Sequence, residues 1–118
     1  MLPARRKSKG RYGTRKADGP LRSAAHLQWL RLHYICAAWF DMSCSGKVEA
    51  AHVRTGTDGS MGQKPSDIWV VPLCHKHHAE QHQIGEAEFE RRYGVKLKAM
   101  AEDISRKSPA LARLRGRP

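Results

Sequence analysis

All seven histidines and all three cysteines of this 118-residue chain fall between residues 24 and 104. Cys36 and Cys44 are separated by seven residues, whereas Cys74 and His77 are separated by two. The short gap is that of tight turns which direct two ligands at one ion, and together the four residues make a Cys3His set suited to the closed tetrahedron of a structural zinc. His75 could replace His77 as the fourth ligand. A C-x7-C spacing alone is weak, since isolated thiols and imidazoles are more often simply buried or solvated. The conjunction of the two pairs is what points to metal.

A second constellation lies close by. His78 and His82 are four residues apart, so on a helix they project from one face and could share a divalent ion such as Mg²⁺, Mn²⁺ or Zn²⁺. A neutral imidazole at His52 could take a proton from water while that cation stabilises negative charge on a phosphate and its leaving oxygen. Arg54 and Lys64 flank these residues and could position a phosphate, although exposed charges commonly have no such role. Asp67 is a candidate to orient His52 as an outer-shell carboxylate, or to serve merely as a turn residue after Pro65-Ser66.

These side chains need a scaffold. Ser23 can cap a helix in which Leu27, Leu30 and Tyr34 recur at helical spacing. The segment Lys47–Val53 includes β-branched positions and no helix start, which predicts a short strand with His52 near its end. Residues 54–65 carry three glycines and end in Pro65, marking a polar loop. Ile68-Trp69-Val70-Val71 is a β-prone run expected to end at Pro72 and to pair with the first strand. His75–Gln83 lacks Gly and Pro and can be helical. Phe89 and Tyr93 mark another short helix, and Leu97, Met100, Ala101 and Ile104 a last one. Trp29, Trp39 and Trp69 sit in apolar runs and read as core anchors.

Charge is segregated from this chemistry. The net charge is +11, with +12 in residues 1–23 and 105–118 together and −1 in residues 24–104. The first of these segments includes Arg5, Arg6 and Lys7 and has no hydrophobic periodicity, so both ends read as disordered basic tails. Such arms can neutralise DNA phosphates without reading sequence, although charge runs also serve only to keep a protein soluble. No apolar run has the length of a membrane span and no secretory signal is evident, so a cytoplasmic protein is expected. Three cysteines cannot all pair within one chain, which again favours metal over disulfides.

Glu49-Ala50-Ala51-His52-Val53-Arg54, then Gly62-Gln63-Lys64-Pro65-Ser66-Asp67, then Pro72-Leu73-Cys74-His75-Lys76-His77-His78-Ala79-Glu80-Gln81-His82 form an ordered set of motifs. From about Leu27 to Ile104 this order resembles the prophage-associated HNH-like nucleases, a group that includes relatives of the recombination enhancement function (Ref) nuclease, which depends on the RecA recombinase. The resemblance implies an α+β, ββα-metal domain over residues 24–104, stabilised by zinc and flanked by helices. It further implies phosphodiester hydrolysis, with His52 as general base, His78 and His82 as ligands of the catalytic metal, DNA as substrate and a RecA-type filament as a possible partner. One departure stands out. Many HNH enzymes place a His or Asp ligand before the base, where this chain has Ala51, so water or Asp67 would have to complete the metal shell. The usual mid-motif asparagine is also not evident. A catalytically silent, zinc-stabilised DNA-binding or recombination-accessory module is therefore the alternative expectation, and a structural zinc domain without a nucleic-acid role a third.

Overall fold

A computed structural model describes residues 20–59 and 62–115. In chain order the described elements are α1 (Ala24–His33), a 3-10 turn (Trp39–Asp41), β1 (Val48–His52), β2 (Val70–Cys74), α2 (His75–Ile84), α3 (Glu86–Tyr93), α4 (Leu97–Lys107) and α5 (Pro109–Arg115). The fold is α+β, with one two-stranded antiparallel sheet and five α-helices among the described residues.

Register explains how the sheet serves two cores. Ala51 pairs with Val71, and His52 with Val70. Directly opposed residues share a face and successive residues alternate. Ala51, Val53, Val71 and Leu73 accordingly join Phe89, Leu97 and Ala101 in one buried cluster. Val70 faces the other way, packing with Leu30 of α1 and Ile104 of α4, with Ala50 alongside. His52 lies on this second face and Glu49 on the first.

The second strand runs through the proline expected to end it. Pro72 pairs with Ala50 inside β2. Its carbonyl accepts the Ala37 N–H at 2.8 Å. A residue in a strand directs its N–H and C=O to the same side, so the donor that proline lacks would have pointed away from β1. Ile68 and Trp69 lie in the turn before the strand rather than in it.

Helix ends follow local chemistry. Ser23 Oγ accepts the His26 N–H at 3.2 Å and caps α1. Gly85 ends α2 and begins α3 at φ +87°, ψ 158°, a conformation essentially restricted to glycine. Residues 105–118, expected to be a tail, instead include α5, with Pro109 at its first position and Leu111 buried. Ser108 Oγ bonds His26 Nδ1 at 2.8 Å, tying this helix to α1. Leu21–Ser23, expected within a disordered arm, are laced to residues 64–67 by hydrogen bonds. Arg5, Arg6 and Lys7 lie outside the described residues.

Phe89 is fully buried and touches Tyr93, with ring centroids 4.7 Å apart. Phe89→Ala is expected to cost about 3–5 kcal/mol, read as a lowered urea midpoint with little change in slope.

Candidate metal centre and active site

Cys74 is the N-cap of α2 and His77 sits in its first turn. Cap geometry brings the third helical residue back over the cap, so Cys74 Sγ accepts the His77 N–H at 3.4 Å and lies 3.2 Å from His77 Nδ1. The loop between α1 and β1 brings the remaining thiols to the same point. His77 Nδ1 is 3.5 Å from Cys36 Sγ and 3.7 Å from Cys44 Sγ. All four ligand atoms lie within 4.8 Å of one another. A zinc tetrahedron with Zn–S of about 2.3 Å and Zn–N of about 2.0–2.1 Å places S and N about 3.5 Å apart. The four residues can therefore hold a metal such as zinc.

The protonation chemistry fits the same conclusion. On Cys74, burial acts most strongly and upward. N–H groups of His77 and Ser45 and contacts with His77 and Cys44 outweigh it, holding the thiol at about 6. Cys44 belongs to an exposed residue, yet its sulfur faces the cluster. Burial first, and then Cys36 and Cys74, push it up to about 12. Three sulfurs at one point can ionise together only around a cation.

His77 Nε2 meets Asp41 Oδ2 at 3.1 Å, and the histidine is wholly buried. A carboxylate on Nε2–H leaves the Nδ1 lone pair facing the sulfurs, the usual outer-shell support of a metal-binding histidine. Asp41 lies in the 3-10 turn, and nothing in its local sequence marks it. His75, the other candidate ligand, is set apart: its side chain is 72% exposed and its Nδ1 lies 2.9 Å from Glu49 Oε2.

A helical step of about 100° separates His77 from His78, so the two face different environments. His78 and His82 line an open cleft of about 690 Å³ together with His52, Gln81, Arg31, Arg54 and Lys64. Their Nε2 atoms are 3.3 Å apart. Glu49 Oε1 takes His78 Nδ1–H at 2.7 Å, which leaves the His78 Nε2 lone pair turned toward His82. Hydrogen bonds to His78 first, and then to His75, hold the Glu49 carboxyl below its usual range.

His52 Nε2 lies 2.9 Å from Asp67 Oδ1, with side-chain exposures of 16% and 5%. Oδ2 of the same carboxylate accepts the Ser23 N–H at 2.8 Å. Burial lowers the His52 imidazole below its ordinary 6.5, and this outweighs the opposing pull of Asp67. For Asp67, burial acts most strongly and upward, but the bonds from His52 and Ser23 outweigh it and hold the carboxyl low. An ionised Asp67 accepting Nε2–H leaves Nδ1 as the basic nitrogen of a neutral imidazole.

Asp67 is buried against His52, with its oxygens bonded to His52, Arg22 and Ser23. Ala51 is fully buried in the core beneath β1, so its position offers nothing to the cleft. Among the described residues, no further His, Cys, Asp or Glu joins His78 and His82 as a third ligand. Lys64 and Arg54 do line the cleft, and both oxygens of Glu86 take the main-chain N–H groups of Arg54 and Thr55. Arg31 and Gln81 also reach it without having been anticipated. Gln81 lies three residues after His78 and is buried, and its Nε2 donates to the His52 carbonyl at 3.3 Å. Trp29 and Trp69 pack partly buried against the two cores, whereas Trp39, expected to be a core anchor, is 56% exposed because it lies in the 3-10 turn at the surface.

Among the described residues no helix is long and apolar enough to cross a membrane. A family model described as "Protein of unknown function (DUF968)" matches residues 17–111. The uncharacterized protein YdfU of Escherichia coli (strain K12) is 46% identical over 55 residues, which is 47% of this chain and 16% of that protein. The chain thus spans a small part of the curated relative it matches. No solved structure matches the chain.

Proposed function

The chain belongs to the DUF968 family, and from the geometry of its cleft we propose that it is a metal-dependent DNA endonuclease that hydrolyses phosphodiester bonds. The observation that carries this reading is one cleft lined by His52, whose Nε2 meets the buried Asp67, by the His78–His82 pair, and by Arg31, Arg54 and Lys64. We read β1, β2 and α2 as a ββα-metal unit, a reading supported by their order and by the histidine positions.

His52 acts as general base through Nδ1, with Asp67 fixing its tautomer and steadying the imidazolium that forms. His78 and His82 would hold the cation, since nitrogens about 3.3 Å apart suit adjacent corners of a tetrahedron of the size given above. A divalent ion there supplies Lewis-acid stabilisation of charge on the phosphoryl and leaving oxygens. Two imidazoles favour Mn²⁺ or Zn²⁺ over Mg²⁺, which prefers oxygen ligands. Arg31, Arg54 and Lys64 contact phosphate, and Arg5, Arg6 and Lys7 extend that contact without reading sequence.

The test is relaxation of supercoiled plasmid by the purified chain with Mn²⁺, Mg²⁺ or chelator. Each arm is run with and without a RecA-type filament, because the resemblance noted above implies such a partner. Nicking that requires added divalent metal is the expected result. The rate should be level above about pH 6.5 and fall as pH drops through the lowered His52 value, because protonation removes the base. No nicking in any arm would overturn the reading.

A second reading has its own observation. Buried Ala51 and a cation site with two protein ligands favour a DNA-binding accessory module without catalysis. Salt-sensitive DNA binding without nicking in any arm would establish it.

A further inference from the structure

We propose that Arg22 is a positioning residue for the His52–Asp67 pair, holding the carboxylate in line with the imidazole and opposing its charge. This rests on the proposed role of His52 as base. Arg22 falls in a basic run that the sequence alone assigns to a DNA-contacting arm, but the structure turns it inward. One guanidinium nitrogen donates to the Pro65 carbonyl at 2.5 Å and lies 3.4 Å from Asp67 Oδ1, the oxygen that also meets His52. The other donates to the Lys64 carbonyl at 3.0 Å. Three acceptors on the segment carrying Asp67 are thus gathered by one planar group, a task for which the arginine fork is suited and a lysine ammonium is not.

The surrounding bonds show that this clasp is built into the fold. Asp67 N–H donates to the Leu21 carbonyl at 2.8 Å, and Leu21 N–H to Ser66 Oγ at 2.9 Å. Ser23 N–H takes the second carboxylate oxygen, and Asp58 secures Ser66 from the far side. Residues 21–23 and 64–67 are therefore stitched together, with Asp67 between Arg22 and His52. The Arg22 side chain is 44% exposed, so its pairing with Asp67 contributes little stability by itself. Its effect is local.

That effect concerns which form of His52 prevails. Burial acts most strongly against the imidazolium, Asp67 favours it, and Lys64 and then Arg22 oppose it. Arg31, Arg54, His78, His82 and Glu86 also line the cleft that His52 faces. Removing Arg22 leaves the Asp67 charge less opposed and its carboxylate less firmly aimed. Both changes weaken a neutral base with a defined tautomer.

The test uses the full zinc-loaded chain with ¹⁵N-labelled histidine, comparing wild type, Arg22→Met and Arg22→Lys by ring-nitrogen NMR. Wild type is expected to show His52 protonated at Nε2 alone above its titration. Arg22→Met should raise the His52 titration, and the acid limb of plasmid nicking should move with it in the same direction. Arg22→Lys keeps the charge but loses the fork. It should titrate near wild type while admitting a measurable fraction of the Nδ1–H tautomer.

An unchanged titration and tautomer in folded Arg22→Met would overturn the proposal. If that variant does not fold, an unchanged tautomer in Arg22→Lys overturns it instead. The ring-nitrogen readout needs no cleavage, so an inactive wild type would count against the nuclease reading while the role of Arg22 is still decided.

Discussion

Cys74→Ser is expected to abolish cooperative unfolding, and exhaustive chelation of the wild-type chain to do the same. Structural zinc binding is worth about 10–16 kcal/mol in small zinc-finger peptides, comparable with the roughly 5–15 kcal/mol stability of a whole domain. The position of Cys74 concentrates the loss. It ends β2, caps α2 and lies in the core cluster beside Leu73 and Val71, so the ion that it ligates would join the sheet, the first turn of α2 and the loop carrying Cys36 and Cys44. Without the ion, thiols and one imidazole crowd a buried point with incompatible protonation preferences. The check is metal analysis after dialysis, expected to give about one zinc per chain on the Cys3His reading, paired with thermal melts in and out of chelator. Equal, cooperative melting with and without metal would refute a structural role for the cluster.

His52→Ala is expected to lower the plasmid-nicking rate by about 10²–10⁴-fold, the usual contribution of a positioned general base. Little else should change. The His52 contact with α2 is made by its main-chain carbonyl, which accepts from Gln81 and survives the substitution. The cationic side chains that line the cleft are also untouched, so DNA affinity and its salt dependence should stay near wild type while the rate collapses. Nicking at the wild-type rate by His52→Ala would remove His52 from the mechanism and point to another base. A parallel loss of binding and rate would make the residue structural. Combining the substitution with Arg22→Met should add little, since Arg22 is proposed to act through His52.

Much of the site is local in origin and was legible in order along the chain. Cys74 and His77 meet because a helix cap and the third residue beyond it are neighbours in any helix, and His78 and His82 share a face because their spacing is close to one turn. The strand character of residues 48–52 and the helical spacing of Leu27 and Leu30, or of Leu97, Ala101 and Ile104, likewise follow from side-chain periodicity. Even α5 had a local sign in Ser108-Pro109, although the basic residues around it obscured the apolar pair Ala110 and Leu111.

What the sequence could not decide was every choice between equivalent residues and every partner brought from a distance. His75 is adjacent to Cys74 and His77 lies three residues on, so both are within reach of the cap thiol along the chain, and the packing of α2 against the loop turns His77 inward to the thiols and leaves His75 at the surface. Asp41, Glu49 and Arg22 orient histidines that lie 36, 29 and 30 residues away along the chain, the last through Asp67. A carboxylate or guanidinium carries no mark of such a task, because its meaning comes from which group the fold places opposite it. Residue types and spacing therefore pointed to the candidate ligands and to most of the elements that bear them. Tertiary packing decided their orientation, the separation of the Cys3His cluster from the cleft and the burial of Ala51, since all of these depend on contacts between segments whose separation along the chain says nothing about their meeting.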